Sequence, residues 1–133
     1  MEMPLSEVID RYTILKLKLE RLKNQSKKSK LIIDKEFKQY KLAIKEFRKR
    51  EFIVKSEWIE KLYKINGRTW DLEADIRQGR EGLLGLEEIG RRALKIRDIN
   101  RERIEMKNLI IKESKSGHIE IKVNHASQSC KEK

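Results

Sequence analysis

The stretch LIIDKEFKQYKLAIKEFRKREFIVKSEWIEKLYKIN, residues 31–66, contains neither glycine nor proline, and its reading decides the fold. Ile33, Phe37, Tyr40, Ile44, Phe47, Val54, Trp58, Leu62 and Ile65 recur at helical spacing. Beyond Gly67 the stripe continues through Leu72 and Ile76. The favoured reading is one helix over 31–78, roughly 70 Å long at about 1.5 Å per residue. The alternative is a break near residue 55, in FIVKS, where β-branched residues precede Ser56, a residue able to cap a new helix.

Outward from this stretch the chain is simpler. Leu5, Val8, Tyr12, Leu15, Leu19 and Leu22 predict an amphipathic helix over 6–24, with Ser6 as its N-cap and Glu7 and Asp10 as carboxylates suited to the helix dipole. Residues 25–30 read as a turn. QGREGLLG, residues 78–85, carries three glycines and stops the middle helix. Leu86, Ile89, Ala93, Ile96, Asn100, Ile104 and Ile111 predict a last helix over 86–113. Residues 114–133 then hold a short strand in HIEIKV and a flexible polar tail.

The expectation is therefore an all-α fold of long antiparallel helical hairpins, three to four helices resembling a bundle or coiled coil, in a single domain over 1–113. A continuous middle helix has different partners on its two halves, and each half leaves an apolar seam uncovered. On that reading a homo-oligomer, with a dimer favoured, buries the seams. A fold-back near Ser56 gives a four-helix bundle within one chain instead.

Apolar residues make up 38% and charged residues 41% of the chain, a balance suited to long exposed helices around a narrow core. The lone Cys130 excludes an internal disulfide, and with only His118 and His125 beside it no metal site or cofactor is expected. No apolar run is long enough to span a membrane, so a soluble cytoplasmic protein is expected. The net charge is +11, and residues 11–50 hold fifteen Lys or Arg against four Asp or Glu. The whole surplus thus sits in the first hairpin, where Lys38, Lys41, Lys45, Arg48 and Lys49 are the candidates for contact with nucleic-acid phosphates. An acidic protein partner would feel the same field.

Two polar patches interrupt this lysine-rich pattern: INGRTWDLEADIR at 65–77 and KIRDINRERI at 95–104. Asn66, Trp70, Glu73 and Arg77 follow i, i+4, i+7, i+11, along one helical face. A turn near residue 82 sets Asn66 opposite 97–100, and Glu73 opposite Arg91 and Arg92. The patches then form two walls of one interhelical site. As packing, Glu73 meets Arg92 and Asn66 meets Asn100. As a pocket, Arg77, Arg97 and Arg103 hold the phosphate or carboxylate of an anionic small molecule, Glu73, Asp98 and Asn100 accept its hydroxyls, and Trp70 stacks on a sugar or base. No catalytic constellation stands out: no Ser or Cys has a nearby His in a recognisable motif, and there is no glycine-rich phosphate loop.

Taken in order, Pro4-x-Ser6 with Ile9-Asp10, Ile65-Asn66, Trp70-Asp71-Leu72-Glu73, Ile76-Arg77, Ile99-Asn100, Arg103 and Lys107-Asn108 resemble small uncharacterised helical families of bacteria. Members of these are often encoded beside glycosyltransferases of lipopolysaccharide or other surface-glycan synthesis. The resemblance covers the first helix and residues 62–111, and leaves the basic segment 23–50 without a counterpart. It implies a non-enzymatic or accessory role in surface-glycan or nucleotide-sugar metabolism, with Asn66, Trp70, Glu73, Arg77, Asn100 and Arg103 in the site. A nucleic-acid-binding protein and a structural module for an acidic partner are the alternatives.

Overall fold

The structure is a computed structural model that describes residues 2–22, 26–50, 52–79, 85–114 and 120–122. The expected turn tip and the tail with His118, His125 and Cys130 lie outside the described residues. The chain is all-α and bundle-like. Its elements run β1 (Glu2–Pro4), α1 (Leu5–Arg21), α2 (Lys27–Lys49), α3 (Ser56–Gly79), α4 (Leu86–Ser114) and β2 (Glu120–Lys122). The two strands pair antiparallel, Met3 opposite Ile121, and join the two ends of the helical body.

The long middle stretch is broken, and the reason lies in packing. After Arg50 the Phe52 N–H returns to the Phe47 carbonyl at 3.1 Å, and residues 52–55 leave the helix. Phe52 and Val54 turn inward while Ile53 and Lys55 face solvent. Phe52 also packs edge-on against Phe47, with ring centroids 5.9 Å apart. α3 then starts at Ser56, and Phe47 and Trp58 enter the same core. A continuous helix would keep roughly four more backbone hydrogen bonds, worth about 0.5–1.5 kcal/mol each. Folding back instead buries Trp58, Leu62 and Phe47 in one chain, at about 1.5–3 kcal/mol for each large side chain. The two terms are of similar size. Local hydrogen bonding thus favours the continuous helix, and burial in the shared core offsets that preference.

Two helix starts differ from the sequence reading. α2 begins at Lys27, not 31, because Ser26 caps it: its Oγ accepts the Ser29 N–H at 3.1 Å. α1 begins straight after Pro4, whose ring suits the start of a helix, and Ser6 is a buried helical residue rather than a cap. Asp10 also departs from expectation. It sits in no solvated first turn but at 0% exposure.

That burial follows from the place of α1, which packs against α2, α3 and α4. Leu5, Val8 and Leu15 cover one side, and Ser6, Asp10, Thr13 and Leu17, at i, i+4, i+7, i+11, are buried on another. The core lies toward one end of the molecule: α2 is fully buried only at Tyr40, Ala43, Ile44 and Phe47, and α4 only from Ile99 onward. The seam around Phe47, Trp58 and Leu62 closes within one chain, while Leu31, Leu42, Ile53, Leu86, Leu94 and Ile104 stay exposed.

Trp58 is 1% exposed, and its indole N–H has no hydrogen-bond partner among the described residues. An orphaned buried donor costs about 1–3 kcal/mol. Trp58→Phe keeps one aromatic ring and removes that donor, which offsets the smaller volume, so it should change stability by no more than about 1 kcal/mol, whereas Trp58→Ala should cost about 3–5 kcal/mol. Urea denaturation of both variants checks this, and equal losses would mean that the indole N–H is satisfied.

Candidate functional site

The polar groups meet on α1 rather than across the α3–α4 seam. Asp10 and Thr13 stand three residues apart on one face of α1, and Asn66 of α3 reaches both. Its Nδ2 donates to Asp10 Oδ1 at 3.0 Å and to Thr13 Oγ1 at 2.9 Å. The Thr13 hydroxyl in turn donates to the Asp10 carbonyl at 2.7 Å. From α4, Arg103 donates through Nε to Asp10 Oδ1 at 2.9 Å and through a second nitrogen to Oδ2, a forked pairing of guanidinium on carboxylate. One turn on, Lys107 pairs with Glu7 and stands 3.9 Å from Asp10 Oδ2. Two carboxylates of α1 and two cations of α4, neutral as a set, thus join those helices, and the Asn66 amide adds α3.

Burial alone would push the Asp10 carboxyl up, because it penalises the charged form. The hydrogen bonds from Arg103 and Asn66 and the charges of Arg103 and Lys107 outweigh it and hold the pKa below the usual carboxylate range. Arg103 is raised correspondingly, chiefly by its hydrogen bond to Asp10. Asp10 is therefore an ionised, buried anion at neutral pH, its oxygens taken up by Arg103 and Asn66. Among the described residues no group of three or more His, Cys, Asp or Glu is arranged to hold a metal ion.

Of the seven residues expected to line a ligand pocket, the structure brings Asn66 and Arg103 together, both on Asp10. Trp70 is half-buried, and Glu73, Arg97 and Asn100 are exposed, with the Arg97 guanidinium 3.7 Å from Asp98. The side chain of Arg77 lies outside the described residues. Arg92 pairs with Glu88 rather than Glu73; Arg68 of α3 pairs with Glu102 of α4 at 2.7 Å, and Lys55, just before α3, with Glu113 at 3.2 Å. Pairing by loop position missed Asp10, Thr13 and Lys107, because it considered α3 and α4 without the helix that crosses them. Asp10, Asn66, Arg103 and Lys107 all stand in the ordered set quoted above, and in this chain they pack together.

A second surface has a different character. Lys38, Lys41, Lys45, Arg48 and Lys49 are all exposed on α2, over about 16 Å of helix. Asp34 takes up Lys38 at 3.0 Å and Arg48 reaches the Val54 carbonyl at 3.5 Å. Lys41, Lys45 and Lys49 have no carboxylate partner among the described residues. The aromatic residues of α2 turn away from this face: Tyr40 and Phe47 are buried, and Phe37 stacks on Tyr12 at 4.8 Å.

No described helix is long and apolar enough to cross a membrane. The chain matches no protein-family model, no curated protein and no solved structure.

Removing Asp10 strands the donors of Arg103 and Asn66. Arg103, whose side chain is 30% exposed, regains part of its hydration, which places the expected cost of Asp10→Ala at about 3 kcal/mol. The pH dependence has a defined sign. A carboxylate with a lowered folded pKa contributes stability above its unfolded value of about 3.9 and loses it as pH falls further toward the folded value. Denaturation at pH 7 and pH 3 should show a smaller acid loss in Asp10→Asn than in the wild type.

Proposed function

We propose that this protein is a non-catalytic helical module that binds the phosphate backbone of nucleic acid along the exposed face of α2. The observation that carries the reading is the row Lys38, Lys41, Lys45, Arg48 and Lys49, exposed together, with four of the five free of any carboxylate partner among the described residues. The charge surplus of the chain is concentrated in the α1–α2 hairpin, so this face also lies at the centre of its positive field. No aromatic residue of α2 is available to stack on bases, and long flexible lysines contact phosphate as point charges. Binding on these terms is indifferent to base sequence.

The reading of an accessory protein of surface-glycan metabolism, with a pocket between α3 and α4, has less support. Two of its residues are consumed by Asp10, and three others stand apart on the surface. Polyanion binding needs no second copy of the chain and suits a cytoplasmic protein.

Fluorescence anisotropy with a random DNA duplex is the test. Neutralising three to five phosphates gives a log–log salt slope of about −2.7 to −4.5, so affinity should fall by roughly 40- to 500-fold between 50 and 200 mM salt. Combined Lys41→Glu, Lys45→Glu and Lys49→Glu should abolish binding and leave the fold intact. Absence of binding at 50 mM salt, or binding that ignores these reversals, would refute the proposal and leave an acidic protein as the partner to seek.

A further inference from the structure

Away from α2, a cleft of about 620 Å³ opens between the end of α1, the middle of α3 and α4. Its size is that of small-ligand sites, which run from about 300 to 1,000 Å³. Arg21 enters from α1, and Lys61, Lys64 and Arg68 follow one another along α3 at i, i+3, i+7. Two carboxylates, Asp71 and Glu102, stand among these four cations and leave the lining net positive.

The pairing inside the cleft is provisional in a physical sense. Arg21 rests on Asp71 and Arg68 on Glu102, and both pairs are partly open to water. Exposed pairs of this kind hold weakly and exchange readily. Lys64 is taken by Glu60 at 3.2 Å, one turn back on the same helix, while Lys61 has no carboxylate partner among the described residues. Gly67 forms part of the floor. A Cβ there would sit 3.4 Å from an Arg21 guanidinium nitrogen, so the missing side chain lets that guanidinium lie close across α3. Tyr63 and Ile65 add apolar surface at the side. Two forked donors, a free ammonium and an adjoining apolar surface suit a phosphate carried on a small organic group.

We propose that this cleft is a binding site for a small phosphorylated ligand, a phosphomonoester or diphosphate. Asp71 and Glu102 act as internal stand-ins that occupy Arg21 and Arg68 until the ligand displaces them. None of these groups lies on α2, so the site stands or falls independently of the polyanion reading.

Calorimetric titration with pyrophosphate and with inorganic phosphate, at fixed ionic strength, tests it. The expected result is one pyrophosphate per chain, bound more tightly than phosphate. Arg68→Ala and Lys61→Glu should each weaken it by roughly ten-fold. Asp71→Asn frees Arg21 and should tighten binding, whereas a merely basic surface would respond only slightly. Lys41→Glu with Lys45→Glu should leave it unchanged. Lys61 makes no ion pair among the described residues, so its variant keeps the test valid if an arginine variant unfolds. Absence of saturable heat, a stoichiometry well above one, or indifference to both Lys61→Glu and Asp71→Asn would overturn the proposal.

Discussion

The carboxylate of Asp10 is the constraint on which much of the remaining structure depends. Taking a charge out of water is costly, and the attraction of a partner repays it only when the geometry is good and the remaining lone pairs are satisfied. At 0% exposure, Asp10 meets that condition through a forked Arg103 and the amide of Asn66, supplied by two different helices. A shift of α3 or α4 by one turn would strand a buried charge. The set therefore fixes which turn of each helix faces α1, a kind of specificity that apolar contacts alone supply poorly.

The break before Ser56 serves the same arrangement. It brings Trp58 and Leu62 into the core with Phe47, and it lets α3 carry Asn66 to α1. With α1 at the centre and α2 outermost in charge, the molecule separates its roles by surface. The neutral polar set is internal and holds the helices. The lysine face of α2 is external, while Tyr40 and Phe47 of that helix are buried. The arginine cleft lies between helices but opens to solvent.

Much of the fold was legible from period alone. Apolar residues at helical spacing marked the helices, the glycines of 78–85 marked a stop, and alternation in HIEIKV marked a strand. The exposed basic residues of α2 were legible as well, because long charged side chains on the face opposite an apolar stripe have nowhere else to go. The polar site was only half legible. Asn66 and Arg103 stood out as unusual, but Asp10 read as an ordinary carboxylate near a helix start, and the residue that gives it meaning is 93 positions away.

The sequence by itself thus determined which segments are helical, which faces are apolar and where the positive charge lies, since each is set by neighbours within a turn or two. Only the tertiary structure decided whether residues 31–78 form one helix or two, and which of the many charged groups is buried. In the first case a local preference for one helix is opposed by core burial of similar size, and in the second the partners come from three separate helices whose meeting no local pattern encodes.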